Sequence, residues 1–349
     1  MREKTLEAPR SLSLEFAGKS RRENLVLVIL AFVLFFVGAL ALSSGAVPLS
    51  IGALIDGSAK GLEITIFSEI RAPRVLLSGL VGASLAAAGA VLQGLFRNPL
   101  ADPGLIGVSS GAALGAVSMI VFGSALDLPD WIAIYSMPLA AIIGAMGVTF
   151  FLYTFSNYYG HFSVVTVLLV GIAINALASV GIGAFQYLSD DAQLRSLVFW
   201  MMGSFGRADW ITVMPAASIM LVSILVLVRQ STQLDRLQLG EAEAFHLGIN
   251  VKKLKRLVIL VSAGAVGAGV ALSGIIGFVG LVVPHLVRLL FGVSHRILIP
   301  GSALLGACLM ISADLVSRIV IIPSELPVGL VTSALGAPFF LWLIARARV

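Results

Sequence analysis

The chain has 349 residues, of which 58% are hydrophobic and only 12% are charged. Soluble globular domains carry about 25% charged residues, so this composition argues against a water-soluble enzyme and for a protein embedded in a lipid bilayer. The formal charge of +5 does not indicate a nucleic-acid partner, because the 23 Lys and Arg are spread along the chain rather than gathered on one basic stretch.

Apolar runs between polar breaks predict ten membrane spans, since one span needs about 20 apolar residues. A polar segment, residues 1–23, precedes the first run, which is longer than a signal-peptide core and is expected to remain as a span. Residues 24–349 are predicted to form a single transmembrane domain. Its spans are expected at residues 24–43, 72–95, 105–125, 132–154, 163–187, 210–228, 257–277, 278–293, 298–320 and 327–345.

The seventh and eighth spans are the ambiguous pair. No charged residue interrupts the chain from Leu257 to Val283, so this stretch is either one long helix or two helices joined by a tight turn. With ten spans and a cytoplasmic N-terminus, most Lys and Arg fall in cytoplasmic segments, whereas merging the two spans moves several of them outward. The charge distribution therefore favours ten spans with both termini in the cytoplasm.

Two arginines, Arg71 and Arg74, stand at the start of the second span, and the turn sequence Arg97-Asn-Pro-Leu-Ala-Asp-Pro-Gly104 follows its end. Each proline of this turn comes after Asn or Asp, whose side chains cap turns through backbone hydrogen bonds. The sequence predicts a rigid reversal at the cytoplasmic surface. It contains no nucleophile beside a base and does not indicate catalysis.

The longest predicted cytoplasmic loop covers about residues 230–256. Within it, Gly240 and Gly248 enclose a helix-sized segment, and several Lys and Arg follow. A short helix of this kind suits the groove of a partner protein. The alternative is an interfacial linker whose basic residues lie on lipid headgroups.

Several motifs, in order and at family spacing from about residue 70 to the C-terminus, resemble the FecCD family. This family comprises the membrane subunits of ABC importers for ferric siderophores, heme and cobalamin. The motifs are Arg71-x-Pro-Arg74, Arg97 to Gly104, Gly277-Phe-Val-Gly-Leu-Val-Val-Pro-His285, Ala313-Asp314, Glu325-Leu-Pro-Val-Gly329 and Gly336-Ala-Pro-Phe-Phe340. The resemblance implies an all-α polytopic membrane protein with the ten-helix type II ABC importer fold in the bacterial inner membrane.

The resemblance also implies the partners: a second copy of the chain, two ATP-binding subunits, a periplasmic binding protein and the surrounding lipid bilayer. The chain has no Gly-x-x-x-x-Gly-Lys-Ser/Thr phosphate loop, so ATP and Mg²⁺ are expected to be used by the ATPase partner. The chain itself is expected to be a permease without enzymatic activity or a cofactor. The stretch from Gln93 to Gly111 is most similar to heme permeases, which favours heme over a ferric siderophore or cobalamin.

The alternative to an ABC importer permease is an ion-coupled secondary transporter, a class of transporter that also uses broken helices. That mechanism needs buried acidic or polar coupling groups on several helices, and Asp314 is nearly alone in this respect. Dependence of transport on ATP would separate the two classes.

Site residues follow from the resemblance. Arg71, Arg74 and Arg318 are expected to dock the binding protein, since a guanidinium fork matches a carboxylate; the alternative is that they snorkel to lipid headgroups. Contact with the ATPase is expected from the segment between the two glycines, with Gly240, Glu241, Ala244, Leu247 and Gly248 as its members.

The loop from Gln186 to Trp210 is expected to contain a short helix near the outer mouth of the pathway. Met201 and Met202 in this loop are candidates for touching a flat apolar substrate, or for simple packing. Asp314 lies within an apolar run, where a charge is costly unless it is paired or solvated. It is expected to make structural hydrogen bonds or to line the pathway.

Overall fold

The computed structural model describes residues 10–45, 47, 49, 52, 56, 57, 61–158 and 164–346. Within these ranges the chain is helical and contains no β-strand. Part of the predicted N-terminal segment, residues 1–9, and the C-terminal residues 347–349 lie outside the described residues.

The α-helices of the described residues are numbered here in chain order. They are α1 (Arg10–Ser43), α2 (Gly61–Thr65), α3 (Ala72–Phe96), α4 (Val108–Phe122), α5 (Asp130–Tyr158), α6 (Val164–Leu188), α7 (Asp191–Met201), α8 (Trp210–Arg229), α9 (Ser231–Leu237), α10 (Glu241–His246), α11 (Val251–Ser273), α12 (Val279–Phe291), α13 (His295–Ile319) and α14 (Val328–Arg346). A π-helical segment, Ile66–Arg71, joins α2 to α3 without a break.

Eight helical segments of the described chain are long and apolar enough to cross a membrane. They are Arg22–Ser43, Gly61–Phe96, Val108–Leu126, Trp131–Phe155, Val165–Leu188, Trp210–Arg229, Val251–Ser273 and His295–Ile319. The other two predicted spans correspond to shorter apolar helices, Val279–Phe291 and Val328–Trp342. With 13 residues, α12 measures only about 20 Å, against a hydrocarbon core of about 30 Å. The count of ten spans and the cytoplasmic location of the termini therefore stay predictions.

The ambiguous stretch after Leu257 forms two helices, as the charge distribution favoured. The break occurs because Gly274 has φ +71° and ψ −167°, a backbone conformation that residues with a Cβ rarely adopt. A Cβ at this position would also overlap the carbonyl oxygen of Trp200. Helix α11 therefore ends at Ser273, and α12 starts six residues later, at Val279.

Several helix starts differ from the apolar runs. The helical segment that contains the second predicted span begins at Gly61 rather than at residue 72. Helix α1 begins at Arg10, so residues 10–23 of the predicted N-terminal segment continue the first membrane helix. Helix α11 begins at Val251 rather than at residue 257, because the Asn250 side chain accepts a hydrogen bond from the amide of Lys253 at 2.9 Å and caps the helix. The last residues of the predicted coupling loop, from Val251 onward, therefore form the first turns of α11.

Helix α3 lies at the centre of the fold and is buried almost throughout its length. Its most extensive packing is against α13, and it also contacts α8, α11 and α12. Small residues allow this close approach: Gly82 meets Gly306 of α13, and Gly89 meets Gly280 of α12, at distances that leave no room for a Cβ. Four of the 36 glycines of the sequence thus serve helix packing at these two crossings.

Candidate functional site

Five ionisable side chains gather where α3 begins and α13 ends, and they form what we term the ion-pair cluster: Arg71, Arg74, Asp314, Arg318 and Glu325. Arg74 is its centre. Its Nε donates to both carboxylate oxygens of Asp314, at 3.0 and 3.1 Å, and its Nη2 donates to Asp314 Oδ1 at 2.8 Å. On the other edge of the guanidinium, Nη1 and Nη2 donate to the two carboxylate oxygens of Glu325, each at 2.9 Å. One arginine thus holds two carboxylates in bidentate geometry.

The other two arginines of the ion-pair cluster attach it to the end of α1. The Nε of Arg318 pairs with Asp314 Oδ2 at 3.2 Å, and its Nη2 donates to the carbonyl oxygen of Ala41 at 3.3 Å. Arg71 donates through Nη1 to the carbonyl oxygens of Leu42 and Ser43, at 2.9 and 2.8 Å, and through Nη2 to that of Val47. The bonds to Ala41, Leu42 and Ser43 satisfy backbone carbonyls that the end of α1 leaves without intrahelical partners, and the bond to Val47 holds the chain just beyond it.

Burial differs sharply within the ion-pair cluster. The side chains of Arg74 and Asp314 are 7% and 1% exposed, and Arg71 and Arg318 are also buried, whereas the Glu325 side chain is 44% exposed. Buried charges of this kind are tolerated only when they are paired. For Asp314 the contacts match the structural role that the sequence suggested, and a pathway-lining role stays a prediction.

The three arginines were expected to meet a binding protein. In the single chain, however, all three guanidinium groups are buried and already hydrogen-bonded, so none presents a free fork on the surface. A docking role for Arg71, Arg74 and Arg318 stays a prediction, and it requires that at least one of these bonds be exchanged.

At the opposite end of α3 and α13, the predicted coupling loop contains the two short helices α9 and α10. Helix α10 lies between Gly240, with φ +139°, and Gly248, with φ +82°, which are backbone conformations that favour glycine. The Glu241 carboxylate of α10 pairs with Lys255 Nζ at 2.7 Å and ties the helix to α11.

The residues expected to contact the ATPase differ in exposure on α10. Ala244 is completely buried, so its side chain is not available to a partner in this conformation. Leu247 is half exposed, and Phe245, which was expected to face the cytosol but was not among the expected ATPase contacts, is 70% exposed. Aromatic side chains often anchor interfaces, so this exposed aromatic residue joins the candidate contacts.

Helix α9 connects the coupling loop to α13. The Asp235 carboxylate accepts hydrogen bonds from the backbone amide and the Nδ1 of His295, both at 2.7 Å, and from the Ser294 hydroxyl at 3.1 Å. Partial burial acts to raise the pKa of Asp235, but the hydrogen bonds and charge of His295 and the Ser294 hydroxyl outweigh it, and the pKa lies below its ordinary value. Asp235 thus caps the start of α13 with a carboxylate supplied by another helix.

The same helix also holds the end of α3. The Gln238 side chain, just beyond α9, donates to the carbonyl oxygen of Gly94 at 2.8 Å, and the Arg97 guanidinium donates to the carbonyl oxygen of Leu237 at 2.7 Å. Leu234 and Leu237 of α9 are buried beneath these bonds. Sequence reasoning missed this connection, because nothing in the local pattern around Asp235 indicates that its partner is a helix start about sixty residues later.

The expected short helix near the outer mouth is α7. It begins with a capping box in which Asp190 and Gln193 each bind the other's backbone amide. Met201 and Met202 at its end are half-buried, and Met201 packs against the core. The carbonyl oxygen of Met202 accepts a hydrogen bond from the amide of Gly329 at 3.1 Å and so positions the start of α14.

A cavity of about 470 Å³ lies beside α7. Its lining includes Trp200, Ser204, Arg207, Glu325 and Met137, but neither Met201 nor Met202. A pathway role for the two methionines stays a prediction. In the described part of the chain, no group of three His, Cys, Asp or Glu side chains is arranged to hold a metal ion.

Membrane-length helices, an ion-pair cluster at one end and a short partner-sized helix at the other define the architecture of a membrane transport subunit. The chain belongs to the FecCD transport family, whose profile matches residues 30–346. It is therefore a membrane-spanning permease subunit of an ABC importer, and the ATPase of such importers is a separate subunit.

Similar proteins cover nearly the whole chain. The hemin transport system permease protein HmuU of Yersinia pestis is 48% identical over 324 residues, which is 92% of this chain and 96% of that protein. The vitamin B12 import system permease protein BtuC of Shigella boydii is 39% identical over 339 residues, or 96% of this chain and 99% of that protein. A solved structure described as an inward-facing metal-chelate type ABC transporter has a TM-score of 0.83 at 34% identity, covering 92% of this chain and 99% of that chain.

Proposed function

We propose that the chain carries hemin across the bacterial inner membrane as the permease of a homodimeric ABC importer. The observation that supports hemin is the 48% identity to a hemin permease over 92% of the chain, against 39% for the vitamin B12 permeases. Cobalamin is the second candidate because these permeases match along 96% of the chain. A ferric siderophore is the third candidate, since importers of metal chelates share the fold.

In this proposal the chain pairs with a second copy of itself and works with two ATP-binding subunits and a periplasmic binding protein. The ATP-binding subunits use ATP and Mg²⁺, and the permease binds no cofactor. Glu241, Leu247 and the exposed Phe245 of α10 contact the ATPase, while Gly240 and Gly248 set the ends of this helix and the buried Ala244 anchors it. A rigid-body push on α10 then passes into the membrane helices through Lys255 and α9.

The binding protein docks at the ion-pair cluster. Of the three arginines, Arg74 is the member whose partner, Glu325, is exposed, whereas Arg71 and Arg318 are bound to backbone carbonyls and Asp314. Arg71 and Arg318 contribute positive charge, and Arg318 also pairs with Asp314, the buried partner that holds Arg74 in place. Binding by Arg74 and support by the other two arginines are complementary roles, because a carboxylate from the binding protein needs a guanidinium that is held in a fixed position.

The test is ATP-dependent uptake into proteoliposomes that contain the permease with its ATP-binding subunits and binding protein. Hemin, a ferric siderophore and cobalamin are compared at equal concentration, and a non-hydrolysable ATP analogue is the control. Uptake of hemin alone supports the proposal. Uptake of cobalamin or the siderophore instead replaces the substrate but keeps the importer, whereas uptake that persists with the analogue contradicts ATP-driven transport.

A further inference from the structure

The ion-pair cluster has one feature that docking alone does not require: its most exposed member is an acid. The Glu325 carboxylate is 44% exposed and binds the edge of Arg74 opposite Asp314, through two bonds of 2.9 Å. A protein that offers a carboxylate to Arg74 therefore finds the outer edge of the guanidinium already occupied.

The hydrogen bonds of the three arginines show which contact is exchangeable. Arg71 donates to three backbone carbonyls, and Arg318 donates to Asp314 and to the carbonyl oxygen of Ala41. A partner's side chain cannot replace these bonds without pulling the end of α1 apart. The bond between Arg74 and Asp314 is buried, so the pair of bonds from Arg74 to Glu325 is the one that solvent and a partner can reach.

The backbone around Glu325 is anchored on both sides. The amide of Leu326 donates to the carbonyl oxygen of Ser317 at 3.0 Å, and the amide of Val328 donates to that of Gly203, also at 3.0 Å. Release of the Glu325 carboxylate from Arg74 thus needs only a rotation of its side chain. No movement of a helix is required, and the exchange can be fast and reversible.

The cavity beside α7 gives the released carboxylate a place to go. Glu325 and Arg207 both line this cavity. In the described part of the chain, Arg207 makes no hydrogen bond or ion pair, so it is a cation without a partner. When the Glu325 carboxylate leaves Arg74 for this cavity, it is attracted to the Arg207 guanidinium, and this attraction lowers the free-energy cost of its release.

We propose that Glu325 is an internal placeholder for the binding protein: its carboxylate occupies the edge of Arg74 that an acidic side chain of the docking protein binds, and docking exchanges one carboxylate for the other. The inference depends on the proposed docking at Arg74. The exchange replaces one bidentate ion pair with another of the same geometry, so it adds specificity for an acidic partner at little gain in affinity. Glu325 thereby keeps docking reversible and speeds the departure of the partner.

The test measures docking of the hemin-loaded binding protein of the same import system to the permease and its ATP-binding subunits in nanodiscs. Glu325→Gln keeps the shape of the side chain but removes its negative charge and leaves one acceptor oxygen where Arg74 now binds two, so the bidentate ion pair is lost. We expect the dissociation constant to fall about three- to tenfold, mainly through slower dissociation. The matched control is Glu69→Gln, which removes an exposed acid in the π-helical segment just before α3 without touching Arg74.

Unchanged or weaker docking of Glu325→Gln overturns the proposal, and an equal gain in Glu69→Gln overturns it too, because the effect would then be general charge repulsion.

Arg74→Lys tests the docking site separately from the placeholder, and it keeps a positive charge beside the buried Asp314 carboxylate. If Arg74→Lys leaves docking unchanged, the proposed docking site itself is wrong. If Arg74→Lys weakens docking and Glu325→Gln has no effect, the docking site stands and the placeholder is wrong. The placeholder predicts that the gain from Glu325→Gln largely disappears in the Arg74→Lys background.

Discussion

Gly82 of α3 and Gly306 of α13 face each other so closely that a Cβ on either residue would overlap the carbonyl oxygen of the other. The same two helices are joined at one end by Arg74 and Asp314, and at the other end through Asp235 and Gln238 of the coupling loop. They are thus fastened at both ends and in the middle. We expect α3 and α13 to move as one rigid body that connects the ion-pair cluster to the ATPase side.

Replacing Gly306 with alanine should loosen this pair. The new Cβ has to displace the backbone of α3, and overpacking of this kind costs about 1 to 3 kcal/mol. A lower thermal midpoint of the purified permease, followed by fluorescence-detected gel filtration, is the expected result. Gly183→Ala in α6 is the control, because a Cβ there meets nothing within 4 Å. Equal stability of the two variants would contradict the close packing.

Asp314→Asn should destabilise the fold more than Glu325→Gln. Asp314 is buried and faces Arg74 and Arg318, so neutralising it leaves buried guanidinium groups without their counter-charge, at a cost of about 3 to 5 kcal/mol. The half-exposed Glu325 contributes about 1 kcal/mol or less. Unfolding midpoints of the two variants provide the comparison, and similar losses would argue against a structural role for Asp314.

The cap from Asp235 to α13 should depend on pH. Because His295 and Ser294 lower the pKa of Asp235 in the folded protein, the stabilisation is complete above the ordinary carboxyl pKa and is lost as the pH falls through the lowered value. Asp235→Asn should cost about 1 kcal/mol at pH 7. The measurement is the difference in thermal midpoint between the wild type and the variant, taken from pH 7 downward.

This difference should stay constant above the ordinary carboxyl pKa of about 4 and shrink as the pH falls from there through the lowered pKa of Asp235 in the folded protein. The control is Asp191→Asn, which removes an exposed carboxylate in the first turn of α7. If Asp191→Asn loses as much stability as Asp235→Asn at pH 7, general charge effects rather than the cap explain the loss.

Phe245→Ala should weaken association with the ATP-binding subunit. Phe245 is the most exposed large apolar side chain of α10, and truncating an aromatic anchor costs about 2 kcal/mol or more, which is over tenfold in affinity. Co-purification yield and a titration in detergent measure the effect. Leu290→Ala, an exposed position near the end of α12, should leave association unchanged. Loss of association in both variants would point to a general defect instead.

Much of this protein could be predicted from local sequence. The apolar runs gave the order of the helices and placed eight membrane-length segments, and the motifs from Arg71 to Phe340 identified the family. The helix between Gly240 and Gly248 is also local, because a residue with positive φ does not continue a helix and glycine adopts that conformation readily. The break after Leu257 was not local, because its prediction needed the distribution of Lys and Arg over the whole chain.

Local sequence was enough to predict a helical membrane permease and to show which residues carry charge into an apolar surrounding, since hydrophobicity and helix ends are encoded within a few residues. The roles of those charges became clear only from the packing of the helices. Arg74 meets Asp314, 240 positions away, and Asp235 meets His295, 60 positions away, because packing of α3 on α13 brings distant helix ends together. A buried charge has to be paired, but its partner is chosen by that packing and not by its neighbours in sequence.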